Sequence, residues 1–176
     1  MTQKKPFVLG FAAYSGTGKT QLLTQLIPVL KQQGLKVAVI KHSHHDIEID
    51  QPGKDSYRLR MAGATPVILA SPFRQIMITE RDPERPVTLA EQLAMLSGND
   101  YDLILVEGFR HEPFAKIELH RPSLGKPLLY PSDSHIIAIA TDSALATATH
   151  LPLLDLNDIK AIADFILCYY QKQPHE

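Results

Sequence analysis

A chain of 176 residues is most simply one domain, and 44% hydrophobic with 21% charged residues is ordinary for a globular fold. A net charge of −1 gives no whole-chain electrostatic case for binding nucleic acid or a membrane, and the single cysteine, Cys168, excludes an intrachain disulfide and a cysteine-rich metal site. No apolar run is long enough to span a bilayer and the first residues lack a signal peptide's apolar core, so a soluble, cytoplasmic protein is expected.

Residues 7–12 are an apolar run that reads as a strand. Residues 13–20, Ala-Tyr-Ser-Gly-Thr-Gly-Lys-Thr, follow with the spacing of a phosphate-binding P-loop, with Ala13 where the first glycine usually stands. A helical pattern over 18–33 completes the strand, loop and helix context that this motif needs. A nucleoside triphosphate packs several negative charges into a small volume. The backbone amides of Ser15, Gly16, Thr17, Gly18, Lys19 and Thr20 can point inward around it if the loop curls, and Gly16 and Gly18 permit the unusual backbone angles. The first turn of the helix, through Gln21, adds free N–H groups and the positive end of its dipole. Lys19 is placed to reach the β- and γ-phosphates, and the Thr20 hydroxyl to ligate Mg²⁺. Leu22, Leu23, Leu26 and Leu30 form the helix's apolar stripe, Gly34 stands where a C-terminal cap belongs, and Pro28 predicts a kink or early break.

Residues 36–41 form a second, continuously apolar strand of the kind covered on both faces. It ends in His42-Ser43-His44-His45-Asp46. Three histidines and an aspartate can bind zinc or nickel, although strand alternation sends His42 and His44 to one face and His45 to the other. The alternatives are exposed loop residues, or Asp46 close to the γ-phosphate, bound to Mg²⁺ through water or positioning the attacking water. Pro52-Gly53 marks a turn, and a short helix runs from Asp55 or Ser56 to about Ala62. Residues 65–70 and 75–79 are two β-rich runs joined by Ser71-Pro72-Phe73-Arg74, a hairpin added antiparallel to a βαβ chain.

Thr88 and Glu91 have capping-box spacing ahead of the stripe Leu89, Leu93 and Leu96. Residues 101–106 read as a buried strand that ends in Glu107-Gly108-Phe109-Arg110. P-loop proteins place a carboxylate there for Mg²⁺; Asp is usual, and Glu107 stands in that position. Residues 116–120 alternate loosely as an added strand, 135–140 form a further buried strand, and 151–154 a short last one. Asn157 caps a final helix with the stripe Ile159, Ile162, Ala163, Ile166 and Tyr170. Arg58, Arg60, Arg74, Arg110 and Arg121 read as surface residues, any of which can meet an anionic ligand. There is no Asn-Lys-x-Asp guanine motif; Asp142 and Asp155 are candidates either for accepting from guanine N1 and N2 or for capping a loop or helix. The expected fold is α/β: a three-layer P-loop NTPase fold over residues 1–176, with a mainly parallel sheet and antiparallel hairpin insertions.

The P-loop, the stretch Val39 to Asp46, Asp50 with Pro52-Gly53-Lys54-Asp55-Ser56, Ala62-Gly63-Ala64, and Val106-Glu107-Gly108-Phe109 together resemble the molybdopterin-guanine dinucleotide biosynthesis protein B family. The resemblance covers most of the chain. It implies a homodimeric GTP-binding protein with weak GTPase activity, an adaptor beside the molybdopterin guanylyltransferase and other molybdenum-cofactor proteins, with molybdopterin itself a further candidate ligand. It also implies Ser15–Thr20 for phosphates, Thr20 and Glu107 for Mg²⁺, and Asp46 near the γ-phosphate. Without a positioned glutamine or arginine finger, hydrolysis is expected to be slow. Three other readings stand beside this one: a small-molecule kinase with residues 83–88 as a lid, a metallochaperone GTPase using the histidine cluster, and a module that binds nucleotide without hydrolysing it.

Overall fold

The apolar run 7–12 forms the strand around which the sheet is built. The structure is a computed structural model that describes residues 5–43 and 45–172. Its elements in order are β1 (Phe7–Ala12), α1 (Lys19–Gln32), β2 (Val37–Lys41), α2 (Asp55–Met61), β3 (Val67–Ala70), β4 (Gln75–Ile78), α3 (Leu89–Met95), β5 (Leu103–Glu107), β6 (Lys116–His120), β7 (Ile136–Thr141), β8 (Leu153–Asp155) and α4 (Ile159–Gln171). The chain falls into two units. One runs through His42 and resumes at Leu89, and it holds a six-stranded parallel sheet in the order β2-β5-β1-β6-β7-β8. The other, Ser43–Thr88, holds α2 and the antiparallel β3–β4 hairpin.

Strand alternation divides the first unit's core. Leu9, Phe11, Leu103, Leu105, Ile117 and Leu119 pack with the stripes of α1 and α4 in one buried cluster. Ile104 and Val106 turn the other way, toward Leu89 and Leu93 of α3 and Leu96 just after it. Leu26 and Leu30 are fully buried, each worth about 1.5–3 kcal/mol relative to exposure. Helix α1 runs on past Pro28 to Gln32. Pro28 and Thr24 are both exposed, so the carbonyl one turn back, deprived of its usual N–H, faces water. Gly34, at φ +85°, closes the helix as expected: its amide donates to the Lys31 carbonyl, and that of Leu35 to Leu30.

Further expectations are corrected. β2 is an edge strand and is not covered on both faces; Val39 is 46% exposed. Residues 116–120 are no peripheral addition but an interior parallel strand between β1 and β7. The final helix is capped by Asp158, whose carboxylate accepts from the Ala161 amide, while Asn157 donates its own amide to Asp155.

β6 carries Lys116, Glu118 and His120, all buried, on the face opposite Ile117 and Leu119. Lys116 Nζ meets Asp133 Oδ2 at 2.9 Å, and its side chain lies against Gly10, where a Cβ would come within 2.9 Å of Lys116 Cγ. Glu118 accepts the amides of Leu129 and Tyr130, tying the β6–β7 connection to the sheet. Burial pushes the Glu118 carboxyl up against the pull of those two amides. Burial acts the same way on Asp133, but Lys116 and the His135 amide outweigh it and hold that carboxyl below its usual range.

In the second unit Arg60 is no surface residue. Its side chain is 8% exposed; it grips both oxygens of Glu48 at 2.8 Å, reaches Glu80 at 2.6 Å, and stands 3.9 Å from Asp50. Ser56 donates to the other Asp50 oxygen at 2.8 Å. Asp50 and Ser56 of the family-like stretch therefore hold this unit together.

Asp133→Asn leaves the Lys116 ammonium buried without its counter-charge. We expect a loss of about 2–3 kcal/mol at neutral pH, the lower side of a broken buried pair because Asp133 reaches solvent. Because the folded pKa lies below the unfolded one, the stabilisation is present above the ordinary aspartate range and is lost as pH falls through the folded value. Urea denaturation at several pH values should therefore show the gap between wild type and variant closing in acid.

Candidate nucleotide-binding site

The loop 13–18 leaves the carboxyl end of β1, where β5 flanks one side and β6 the other, the place at which parallel α/β sheets put ligand sites. Gly16 and Gly18 take φ of +84° and +95°, left-handed values open to glycine. Thr17 is buried, and its hydroxyl donates to the Tyr14 carbonyl at 2.7 Å. Among the described residues, no acceptor takes the amides of Ser15, Gly16 or Gly18. Lys19, Thr20 and Gln21 form the first turn of α1, whose amides have no intrahelical partner; the first bond runs from Leu22 N–H to Gly18 O at 2.9 Å. The loop is therefore a curved run of free donors ending at a helix start, suited to an anion.

Two ammonium groups flank the carboxylate at the end of β5. Lys19 Nζ lies 3.8 Å from Glu107 Oε1, and Lys41 Nζ 3.8 Å from Glu107 Oε2. The register causes this: Phe11 of β1 and Lys41 of β2 both pair with Glu107. Lys41 was missed in the sequence, where it is only the last residue of an apolar strand. Glu107 is followed by Gly108 at φ +104°, where a Cβ would stand 2.6 Å from His42 Cβ. The His42 amide donates to the Glu107 carbonyl at 2.8 Å, and its ring stacks on Phe109 at 4.5 Å. His42 thus braces the strand ends. His44 lies outside the described residues, and His45 and Asp46 are exposed in the second unit.

Among the described residues, no three His, Cys, Asp or Glu side chains converge as a metal cage. A hydroxyl at the helix start and one carboxylate are instead the donor set of Mg²⁺, which keeps several waters and takes phosphate oxygens beside one or two side chains. Thr20 and Glu107 fit that description.

Arg121, directly after β6, reaches the loop from the other side. Its Nε donates to the Thr17 carbonyl at 2.8 Å and its Nη1 to Asp142 Oδ2 at 2.5 Å. Asp142 Oδ1 accepts from Ser143. Asp155 Oδ1 accepts the Asn157 amide in a local turn. A cleft of about 150 Å³ opens beside the loop, lined by Gly18, Gln21, Gln25, Arg121, Leu156 and Asn157; neither aspartate lines it.

The family model "Molybdopterin guanine dinucleotide synthesis protein B" matches residues 8–142. The chain belongs to that family. The molybdopterin-guanine dinucleotide biosynthesis adapter protein of Escherichia coli K12 is 47% identical over 167 residues, covering 94% of each chain. The protein of that name from Haemophilus influenzae is 46% identical over 160 residues, covering 90% of this chain and 86% of its own. A crystal structure of molybdopterin-guanine biosynthesis protein B superposes with a TM-score of 0.71 at 26% identity, over 93% of this chain and 99% of the other. The superposition over 93% of this chain carries the α/β architecture.

Two glycines at the site separate backbone strain from crowding. Gly16 has open space where a Cβ would stand, whereas at Gly108 a Cβ would meet His42. Gly16→Ala should cost about 1 kcal/mol from φ alone, and Gly108→Ala more, about 2–3 kcal/mol, because the β2 end must also shift. Chemical denaturation of the two variants side by side measures the difference.

Proposed function

We propose that the protein is an adapter in molybdopterin guanine dinucleotide biosynthesis that binds Mg²⁺·GTP at residues 15–21 and hydrolyses it slowly. The observation that supports nucleotide binding is the set of free amides at Ser15, Gly16 and Gly18, with Lys19 beside Glu107 at the end of the loop. The adapter role follows the relatives' names, and GTP follows the family resemblance.

The loop amides and Lys19 neutralise the β- and γ-phosphates, with Gly16 and Gly18 allowing close approach. Thr20 and Glu107 hold the metal. Mg²⁺, when bound there, would supply neutralisation of the phosphate charge. Lys19 stands close enough to Glu107 for ligand charge to draw it from the carboxylate toward phosphate. Arg121 is committed to Thr17 and Asp142 and so does not serve as an arginine finger. Turnover without such a group is slow, which suits a protein whose task is to present a bound nucleotide to a partner such as the guanylyltransferase. In this reading the protein works as a homodimer. Among the described residues, no helix is long and apolar enough to cross a membrane.

Calorimetry with Mg²⁺ and GTP, ATP or GDP tests the reading. GTP should bind, and Lys19→Ala should weaken it by about 10- to 100-fold, the range of one lost charge-assisted hydrogen bond. Glu107→Gln should lessen the dependence on Mg²⁺ while leaving some nucleotide affinity. Equal affinities for GTP and ATP would remove the guanine assignment, and undiminished binding by Lys19→Ala would remove the loop.

A further inference from the structure

We infer that Arg121 and Asp142 act as a pair that aims the phosphate loop, and that Asp142 is not a reader of the base. The inference rests on the nucleotide-binding reading above and names the residues that position its site.

The argument starts from one peptide unit. The Thr17 carbonyl and the Gly18 N–H belong to the same planar trans amide, so they point in opposite directions. Arg121 Nε holds the Thr17 carbonyl at 2.8 Å. The Gly18 N–H is thereby turned the other way, and among the described residues no acceptor takes it. Gly18, at φ +95°, then passes directly into α1 as its N-cap residue. The guanidinium lies along this turn: its Nη2 is 3.6 Å from where a Gly18 Cβ would be. Thr17 cannot swivel to escape, because it is buried and its hydroxyl is fixed to Tyr14.

Asp142 sets the direction of the guanidinium. It ends the β7 region as Arg121 ends the β6 region, and His120 and Thr141 are register partners on those two parallel strands. The carboxylate and the guanidinium meet at 2.5 Å, with side chains 21% and 29% exposed. A planar guanidinium can serve Thr17 and Asp142 at once through different nitrogens; an ammonium at the same place cannot reproduce that fork. Asp142 Oδ2 is taken by Arg121 and Oδ1 by Ser143, and the carboxylate does not line the cleft beside the loop. Its effect on a nucleotide therefore passes through the loop and falls on the phosphates, whichever base is attached.

The test uses the full chain with Mg²⁺ and three probes: GTP, ATP and inorganic tripolyphosphate, which has no base. Arg121→Gln should weaken all three by a common factor of about tenfold, as expected for one lost hydrogen bond from a charged donor. Asp142→Asn should weaken all three by a smaller common factor, and the double variant should be no worse than Arg121→Gln alone, since the two act as one unit. Arg121→Lys should recover only part of the loss. Without ligand, the Gly18 amide resonance should move in Arg121→Gln, a change that a merely stabilising arginine would not produce selectively. The proposal is overturned if Arg121→Gln keeps wild-type affinity for tripolyphosphate with an unmoved Gly18 amide. It is equally overturned if either variant loses GTP affinity alone, which makes the pair a base reader. Wild-type protein that binds none of the probes instead contradicts the nucleotide reading, and the ligand-free Gly18 resonance then still decides whether Arg121 orients the loop. Should Arg121→Gln fail to fold, Asp142→Asn, which keeps the side chain's shape, carries the comparison.

Discussion

A backbone that leaves several amides without protein acceptors must be held in that shape by something other than those amides. Here the holding is done from the carbonyl side and from buried side chains. Tyr14 offers its carbonyl to the Thr17 hydroxyl, Arg121 takes the Thr17 carbonyl, and Gly18 hands the chain to α1. The loop's free N–H groups are the consequence of where its carbonyls are anchored. Such a site is organised before any anion arrives, so little ordering entropy remains to oppose binding.

The sheet supplies the anchors. Because β1 lies between β5 and β6, the loop at its end is bordered by the last residues of both neighbours. From β5 comes Glu107, set between Lys19 and Lys41. From beyond β6 comes Arg121. The connection after β6 is itself fastened by Lys116 to Asp133 and by Glu118 to the amides of Leu129 and Tyr130. The buried polar face of β6 thus serves the site indirectly, by fixing the layer from which Arg121 projects. A chain of this kind, from buried ion pair to strand to loop, links stability to function without any of its early members touching ligand.

What could be read from the sequence was what is local. The P-loop and its flanking strand and helix lie within one stretch, and the αL cap at Gly34 and the hairpin around Ser71–Arg74 are likewise set by near neighbours. Contacts between distant segments were not readable. β2 looked fully covered because an apolar run does not say whether it lies at an edge. β6 looked peripheral because Lys, Glu and His alternate along it, a pattern that means solvent unless the buried groups find partners, and those partners are residues 129–133. Arg60 and Arg121 resembled every other arginine until the fold brought Glu48, Glu80, Thr17 and Asp142 to them. Asp142 follows a late strand, as a base-contacting residue would, but its carboxylate meets Arg121, which no local pattern announces.

The most direct measurement is a two-dimensional ¹H–¹⁵N spectrum of the labelled protein titrated with Mg²⁺ and a non-hydrolysable GTP analogue. If the loop is an anion cradle, the largest shifts will fall on the amides of Ser15, Gly16, Gly18 and Lys19, whose N–H groups exchange water for phosphate oxygen. Saturation with those resonances unmoved, and with the changes gathered elsewhere on the chain, would contradict the account.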